Sequence, residues 1–202
     1  MDTNVLKERS LVVIKPDGLR RALTGKIIQK FENVGLKLIA MKMDRPTLEQ
    51  IKGHYPGNSE DVPWLSAIGE KTLKTYSDLK MDVKEKLGTS DALELGKQVR
   101  NKLIKHWQEG PVIVMIWEGP HAVEIIRKLR GVTTPLQAEP GTILGDLSFD
   151  SQVISNNQDR AMKVFVHATG ATDESDREIE HWFGKNPVVF DYYQRTDHAA
   201  ML

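Results

Sequence analysis

His167 is the residue whose type and setting are best suited to chemistry. It follows the apolar run 164–166 and precedes four small residues, 168–171. An apolar run of this kind is typical of a buried strand, and small residues leave room for a bulky ligand beside the imidazole. An imidazole there could act as a base, a metal ligand or a nucleophile. On this stretch alone, a core histidine with a satisfied hydrogen bond explains the pattern equally well.

Lys15 is a second candidate. It lies where the apolar run Leu11–Ile14 meets Pro16-Asp17-Gly18, which fits a strand stopped by a turn. Lys15 would then occupy the carboxyl end of a strand, a usual place for ligand contacts in sheet proteins. Taken alone, a solvated lysine beside a turn is the simpler interpretation.

The composition narrows the class of protein. The 202 residues are 40% hydrophobic, which is enough for a real core in one domain. Lys and Arg number 28, as do Asp and Glu, so no net charge favours nucleic acid or an anionic membrane. Cysteine is absent, which excludes disulfides and thiolate metal sites and suits a reducing compartment. Because no apolar run reaches the length of a membrane span or forms a signal-peptide core, we expect a cytoplasmic protein.

Hydrophobic periodicity predicts the elements that must position these side chains. Strands are predicted at residues 11–14, 36–43, 111–117 and 162–166, and helices at 26–34, 48–54, 121–130 and 174–183. Residues 136–150 are expected to form a long ordered loop, and residues 151–159 an exposed polar segment. Two strand–helix–strand units in series indicate an α+β fold of the ferredoxin-like βαββαβ type, an antiparallel sheet with helices on one face. We expect one domain over residues 1–202, with a helical insertion at about 58–109.

A series of short motifs extends over nearly the whole chain. In order they are Ile14-Lys15-Pro16-Asp17-Gly18, His54-Tyr55, Gly110-Pro111-Val112, Trp117-Glu118-Gly119, Arg127, Gly131-Val132-Thr133-Thr134-Pro135, Pro140-Gly141-Thr142-Ile143, Gly145-Asp146, His167, Glu178-Ile179 and Trp182-Phe183. Each motif alone is weak, but the ordered set is specific. Together they resemble the nucleoside diphosphate kinase family, whose ferredoxin-like fold agrees with the pattern above.

The resemblance implies a phosphotransferase with a covalent intermediate. The γ-phosphoryl group of a nucleoside triphosphate would pass to His167 and then to a nucleoside diphosphate, in a ping-pong reaction. This transfer needs a neutral imidazole nitrogen in line with the phosphorus and cations around the equatorial oxygens. Mg²⁺ is expected to arrive with the nucleotide, since the sequence shows no dedicated cluster of metal ligands. The resemblance also implies a homo-oligomer, often assembled through the loop around Pro135.

The resemblance assigns roles to further side chains. Contacts to the phosphates or to the histidine are implied for residues that carry an ammonium, a guanidinium or a hydroxyl group, namely Lys15, Tyr55, Arg127 and Thr133. Glu178 is implied to orient His167. Thr169 stands where the family usually has serine and can donate a similar hydrogen bond. Trp64 could stack on the nucleotide base.

Several positions depart from the family pattern. Leu144 stands where the family has a phosphate-contacting arginine, and Val164 stands where it has an asparagine that contacts ribose and phosphates. Gly170 replaces a usual aspartate, and Val62 precedes Pro63 where arginine is common. Losing one charge-assisted contact costs about 1.5–3 kcal/mol. Unless another cation substitutes, restoring arginine at position 144 is expected to raise kcat/KM about tenfold, the equivalent of roughly 1.4 kcal/mol.

Two functions therefore remain open. The first is an active nucleoside diphosphate kinase. The second is a nucleotide-binding or regulatory module on the same fold, with chemistry weakened by Leu144 and Val164. We favour the enzyme because His167 and its expected partners are all retained, whereas a degenerate module would more often lose the histidine or Lys15.

Overall fold

The computed structural model describes residues 7–55, 57 and 63–193. Val62 and the first residues of the predicted insertion lie outside the described residues. The chain divides into two compact units. Unit 1 is formed by Met1–Pro46, Gly110–Phe149 and Val164–Leu202, and unit 2 by Thr47–Glu109 and Asp150–Lys163.

Unit 1 is built on a four-stranded antiparallel sheet. Its strands are β1 (Glu8–Ile14), β2 (Lys37–Asp44), β3 (Val112–Gly119) and β4 (Val166–Ala168). Their order in the sheet is β2-β3-β1-β4. The central strands β1 and β3 are almost entirely buried, as continuous apolar runs predict. In the register of β4 with β1, His167 lies opposite Val13.

Helices follow the strands along the chain. They are α1 (Pro16–Arg20), α2 (Thr24–Glu32), α3 (Leu48–His54), α4 (Pro63–Asp78), α5 (Val83–Leu87), α6 (Ala92–Trp107), α7 (Ala122–Arg130), α8 (Ile143–Leu147), α9 (Gln152–Asn157) and α10 (Thr172–Phe183). The antiparallel α+β fold and the helical insertion are confirmed. Among the described residues, none of the helices combines the length and apolar character that a membrane span requires.

The core of unit 1 lies between the sheet and helices α2, α7 and α10. Phe31 of α2 packs edge-on against Trp117 of β3, with ring centroids 5.2 Å apart. Ile126 of α7 and Trp182 of α10 are buried in the same unit. Each large apolar side chain buried in this way contributes about 1.5–3 kcal/mol to folding, so the sheet is a rigid base for residues at its edge.

The last strand is displaced from its predicted position. We expected it at residues 162–166, but β4 spans Val166–Ala168. The pairing with β1 explains the shift, because Phe165 accepts a hydrogen bond from the Lys15 N–H and the Thr169 N–H donates to Leu11. His167 therefore lies in the middle of a short strand and not just beyond its end.

Two further expectations about the second half of the chain are wrong. Residues 136–150 do not form a plain loop, since α8 begins there with Thr142 as its cap, whose hydroxyl accepts the Gly145 N–H at 3.1 Å. Residues 151–159 are not simply exposed, because α9 forms within them and buries Ser155. Asp150 anchors this part of unit 2 through a bidentate ion pair with Arg160, with N–O distances of 2.5 and 3.0 Å.

Helices α4 and α6 of unit 2 pack closely through glycines. A Cβ atom on Gly69 would lie 1.8 Å from the carbonyl oxygen of Ala92, and one on Gly96 would lie 2.0 Å from that of Leu65. Real Cβ atoms do not approach backbone oxygens so closely. The two helices can therefore adopt this separation only because neither glycine has a side chain.

We predict that Gly96→Ala lowers the free energy of unfolding by about 1–3 kcal/mol, since the added methyl group forces the helices apart. Intrinsic helix propensity alone would predict that Gly96→Ala raises the free energy of unfolding by about 1 kcal/mol. Gly25→Ala in α2 is the control, because its Cβ would meet nothing within 4 Å. Urea unfolding of the three proteins measures the difference, and a Gly96→Ala variant as stable as the parent would contradict the packing described.

Candidate active site

His167 and Glu178 form the centre of the site in unit 1. The Nε2 atom of His167 lies 3.2 Å from both carboxylate oxygens of Glu178. About 19% of the His167 side chain is accessible, whereas the Glu178 side chain is 10% accessible. In a neutral imidazole, this contact places the proton on Nε2 and the lone pair on Nδ1. The pair thus presents an accessible imidazole in a defined tautomer.

Glu178 is held in its ionised form by its neighbours. Burial alone would raise the pKa of its carboxyl group, but the hydrogen bond and charge of His167 outweigh that effect, with help from Thr169 and Arg177. The pKa of Glu178 is therefore below its usual value. The Thr169 hydroxyl donates to Glu178 Oε2 at 2.8 Å, and it accepts the Leu11 N–H at 3.1 Å.

Glu178 reaches His167 because it lies on the buried face of α10. Ser175, Glu178, Ile179 and Trp182 are the buried residues of α10, and their spacing is that of one helix face. The Ser175 hydroxyl donates to the Arg9 carbonyl of β1 at 2.6 Å. Helix α10 is thereby fixed against β1, the strand that also pairs with β4.

Lys15 follows β1 directly and is 4% exposed. The interpretation of this residue as a solvated lysine is therefore wrong, and the expected turn after it is the first part of α1. Burial lowers the pKa of the Lys15 ammonium to about 8; Asp17 opposes this shift, and the charge of Arg130 adds to it. A buried ammonium of this kind gains most from an anionic ligand.

Arg127 and Thr133 lie at the carboxyl end of α7 and in the loop after it, and both are exposed. A guanidinium nitrogen of Arg127 donates to the carbonyl of Gly170, three residues after His167. The Thr133 hydroxyl accepts a hydrogen bond from Arg130 at 3.3 Å. Arg130 was not among the residues that the sequence assigned to the site, although it lies three residues from both Arg127 and Thr133.

Tyr55 and Trp64 lie in unit 2, in an aromatic cluster. Their ring centroids are 6.3 Å apart, and Tyr55 meets Trp107 edge-on at 5.7 Å. The backbone at Tyr55 is held by Arg100, whose Nε donates to the Tyr55 carbonyl at 2.8 Å. Tyr55 and Trp64 are both partly exposed.

Three of the positions that depart from the family pattern, Leu144, Val164 and Gly170, lie in unit 1. Leu144 is 0% exposed and Val164 is 4% exposed, so both side chains belong to the core. A Cβ atom on Gly170 would lie 2.6 Å from the Glu174 carboxylate, so aspartate there would face a like charge.

The model of the family described as nucleoside diphosphate kinase matches residues 8–73 and 81–188. The chain belongs to the nucleoside diphosphate kinase family. The family resemblance inferred from the ordered motifs is thereby confirmed, and the match includes residues of both units.

Relatives within the nucleoside diphosphate kinase family match over nearly their full length. The nucleoside diphosphate kinase of Pyrobaculum aerophilum is 42% identical over 182 residues, which is 90% of this chain and 98% of that protein. The crystal structure of an NDP kinase from that organism matches with a TM-score of 0.83 at 40% identity, over 91% of this chain and 100% of the other. The Borrelia burgdorferi kinase, solved as a transition-state mimic with vanadate and ADP, matches with a TM-score of 0.75 at 31% identity, over 97% and 98% of the two chains.

We predict that Leu144→Arg lowers stability and does not raise kcat/KM, contrary to the expectation from sequence. The side chain is fully buried, and an unpaired guanidinium in an apolar position costs on the order of 3 kcal/mol. Val34→Arg is the control, because Val34 is 49% exposed in the same unit. Thermal unfolding and steady-state kinetics of both variants test this, and a folded Leu144→Arg variant with improved kinetics would contradict it.

Proposed function

We propose that the chain transfers the γ-phosphoryl group of a nucleoside triphosphate to a nucleoside diphosphate through a phosphohistidine at His167. The observation that carries this proposal is the contact of His167 Nε2 with both oxygens of Glu178 at 3.2 Å. A carboxylate on one ring nitrogen leaves the lone pair on the other, which is what nucleophilic catalysis by histidine requires.

In the first half-reaction, the Nδ1 lone pair attacks the γ-phosphorus. A nitrogen–phosphorus bond forms, the bond to the bridging oxygen breaks, and the nucleoside diphosphate leaves with that electron pair. The imidazole keeps its Nε2 proton and becomes positively charged, which strengthens its hydrogen bond to Glu178. In the second half-reaction, a terminal oxygen of the acceptor diphosphate attacks the phosphorus and restores the neutral imidazole.

The negative charge that spreads over the transferring group needs preorganised cations. Lys15 and Arg127 supply an ammonium and a guanidinium in the unit that contains His167. Thr133 adds a hydroxyl donor, and Thr169 holds Glu178. The family resemblance gives Tyr55 a contact to the phosphates or the histidine, and gives Trp64 a stacking role on the base. Mg²⁺ enters as part of the substrate, held by phosphate oxygens, which are the hard ligands that it prefers. The Glu178 carboxylate is hydrogen-bonded to Thr169 and His167, so in this proposal the phosphates and not Glu178 hold the ion.

We also propose that the chain acts as a single domain in a cytoplasmic homo-oligomer. Support for one domain comes from a single family model that matches residues of both units. Exposed apolar side chains support self-association, and they occur next to Pro135 in the chain (Val132 and Leu136), at Phe149 and on β2 (Met41 and Met43). The absence of cysteine suits a reducing compartment, and the zero net charge gives no drive toward nucleic acid. The retained His167–Glu178 pair favours the enzyme over a regulatory module.

Incubation with γ-labelled ATP and Mg²⁺ tests the proposed function. We expect label on the protein that is lost in acid and stable in alkali, and that passes to added GDP. His167→Asn should abolish both labelling and transfer. His121→Asn is the matched control, because His121 is exposed and has a φ of 52°, which asparagine tolerates. Full transfer activity in a folded His167→Asn variant would rule out the mechanism.

The pH dependence tests the role of Lys15. Since the pKa of its ammonium is about 8, kcat/KM should fall up to about tenfold per pH unit above that value as the positive charge is lost. Lys15→Arg should shift this decline to higher pH, because a guanidinium stays charged.

The free energy of unfolding should rise with pH while kcat/KM falls. The reason is that the folded-state pKa of Lys15 lies below the unfolded value of 10.5. The cost of the buried charge is full below about pH 8 and is relieved as pH rises to 10.5.

Lys26→Arg, on the exposed side of α2, is the control for this measurement and should leave the profile unchanged. A profile of kcat/KM that declines at the same pH in Lys15→Arg and in the parent would show that another group controls the reaction.

A further inference from the structure

Arg130, the last residue of α7, joins three parts of the site in unit 1. Its Nε donates to the carbonyl of Val166 at 3.1 Å, and one of its terminal nitrogens donates to the Thr133 hydroxyl at 3.3 Å. Its charge also acts on Lys15. Val166 is bonded directly to His167, so this guanidinium lies beside the residue that carries the phosphoryl group in the proposed mechanism.

The charges around Arg130 favour an anion. The positive charges of Lys15 and Arg130 repel each other, although Asp17 offsets this repulsion at Lys15, and Arg127 lies one helical turn from Arg130 on α7. Placing like charges together costs free energy unless an anion compensates them. A phosphate group would do so, and a guanidinium fork suits its oxygens.

Arg130 also supplies a positive charge that is absent at position 144. Leu144 stands where the family resemblance leads us to expect a phosphate-contacting arginine, and its side chain is fully buried. Arg130 is partly exposed. A guanidinium is thus present in this unit, contributed by a different element.

We propose that Arg130 binds the β-phosphate of the nucleotide, which is the phosphate nearest to His167 in a bound diphosphate, and that it provides the guanidinium that position 144 does not. This inference rests on the proposed function, because it assigns a ligand to the same site. A purely structural role, in which Arg130 only ties Val166 to Thr133, is the alternative that the experiment must separate.

The test compares the affinities of ADP and AMP in Arg130→Gln by calorimetry. A role at the terminal phosphate predicts that ADP binding weakens about tenfold, which is the usual scale of one charge-assisted contact. AMP binding should change less than about threefold, because AMP lacks that phosphate. A structural role would weaken both ligands by the same factor, since it lowers only the fraction of competent protein. Equal losses, or no loss, would overturn the proposal.

Lys128→Gln is the matched control. Lys128 is exposed on the same helix and has no place in the proposed site, so both affinities should be retained. The unmodified protein must first form the phosphohistidine. If it does not, the proposed function fails, whereas a change confined to Arg130→Gln concerns only this inference.

A second measurement needs no variant and covers the case in which Arg130→Gln does not fold. Arginines of the unmodified protein are labelled with a dicarbonyl reagent, with and without ADP, and the labelled positions are mapped by mass spectrometry. ADP should slow labelling at Arg130 but not at Arg45, which is exposed. Equal labelling rates at Arg130 with and without ADP would overturn the proposal.

Discussion

The hydrogen bond between His167 and Glu178 is the interaction on which the proposed chemistry depends. It requires a carboxylate that is buried yet ionised, and a buried carboxylate stays ionised only if donors surround it. Thr169 supplies one donor and the imidazole supplies the other. Both come from β4 and the residue after it, and Thr169 is itself held by the backbone of Leu11 in β1. The sheet register and the position of α10 thus determine the state of the imidazole.

Burial at the end of β1 destabilises the charged form of Lys15. The central strand β1 is almost entirely buried, so the residue that follows it is also buried, and its ammonium lacks full hydration. The lowered pKa of Lys15 has this loss of hydration as its main cause. A site that holds positive charge without full solvation binds anions more strongly than a solvated one would. In the proposed mechanism, the stability lost to this charge is recovered when a phosphate binds.

Much of the fold could be predicted from the sequence because continuous apolar runs specify β1 and β3, and partial alternation of apolar residues specifies β2. The short elements could not, since β4 is defined by three paired residues, and α8 and α9 depend on caps at Thr142 and Ser151. For the site, motif order indicated His167 and Glu178. Motif order did not reveal that Leu144 packs in the core or that Arg130 reaches Val166. Those facts depend on which way side chains turn in three dimensions, which spacing alone does not specify.

The most direct test is to identify which ring nitrogen carries the phosphoryl group. Protein labelled with ¹⁵N at histidine is phosphorylated with ATP and Mg²⁺, and the phosphorus–nitrogen couplings of the His167 ring are measured by NMR. Because Nε2 faces the Glu178 carboxylate at 3.2 Å, the phosphoryl group should be bonded to Nδ1, and Nε2 should keep its proton. A phosphoryl group on Nε2 would contradict the account, because the contact with Glu178 could not then persist during transfer.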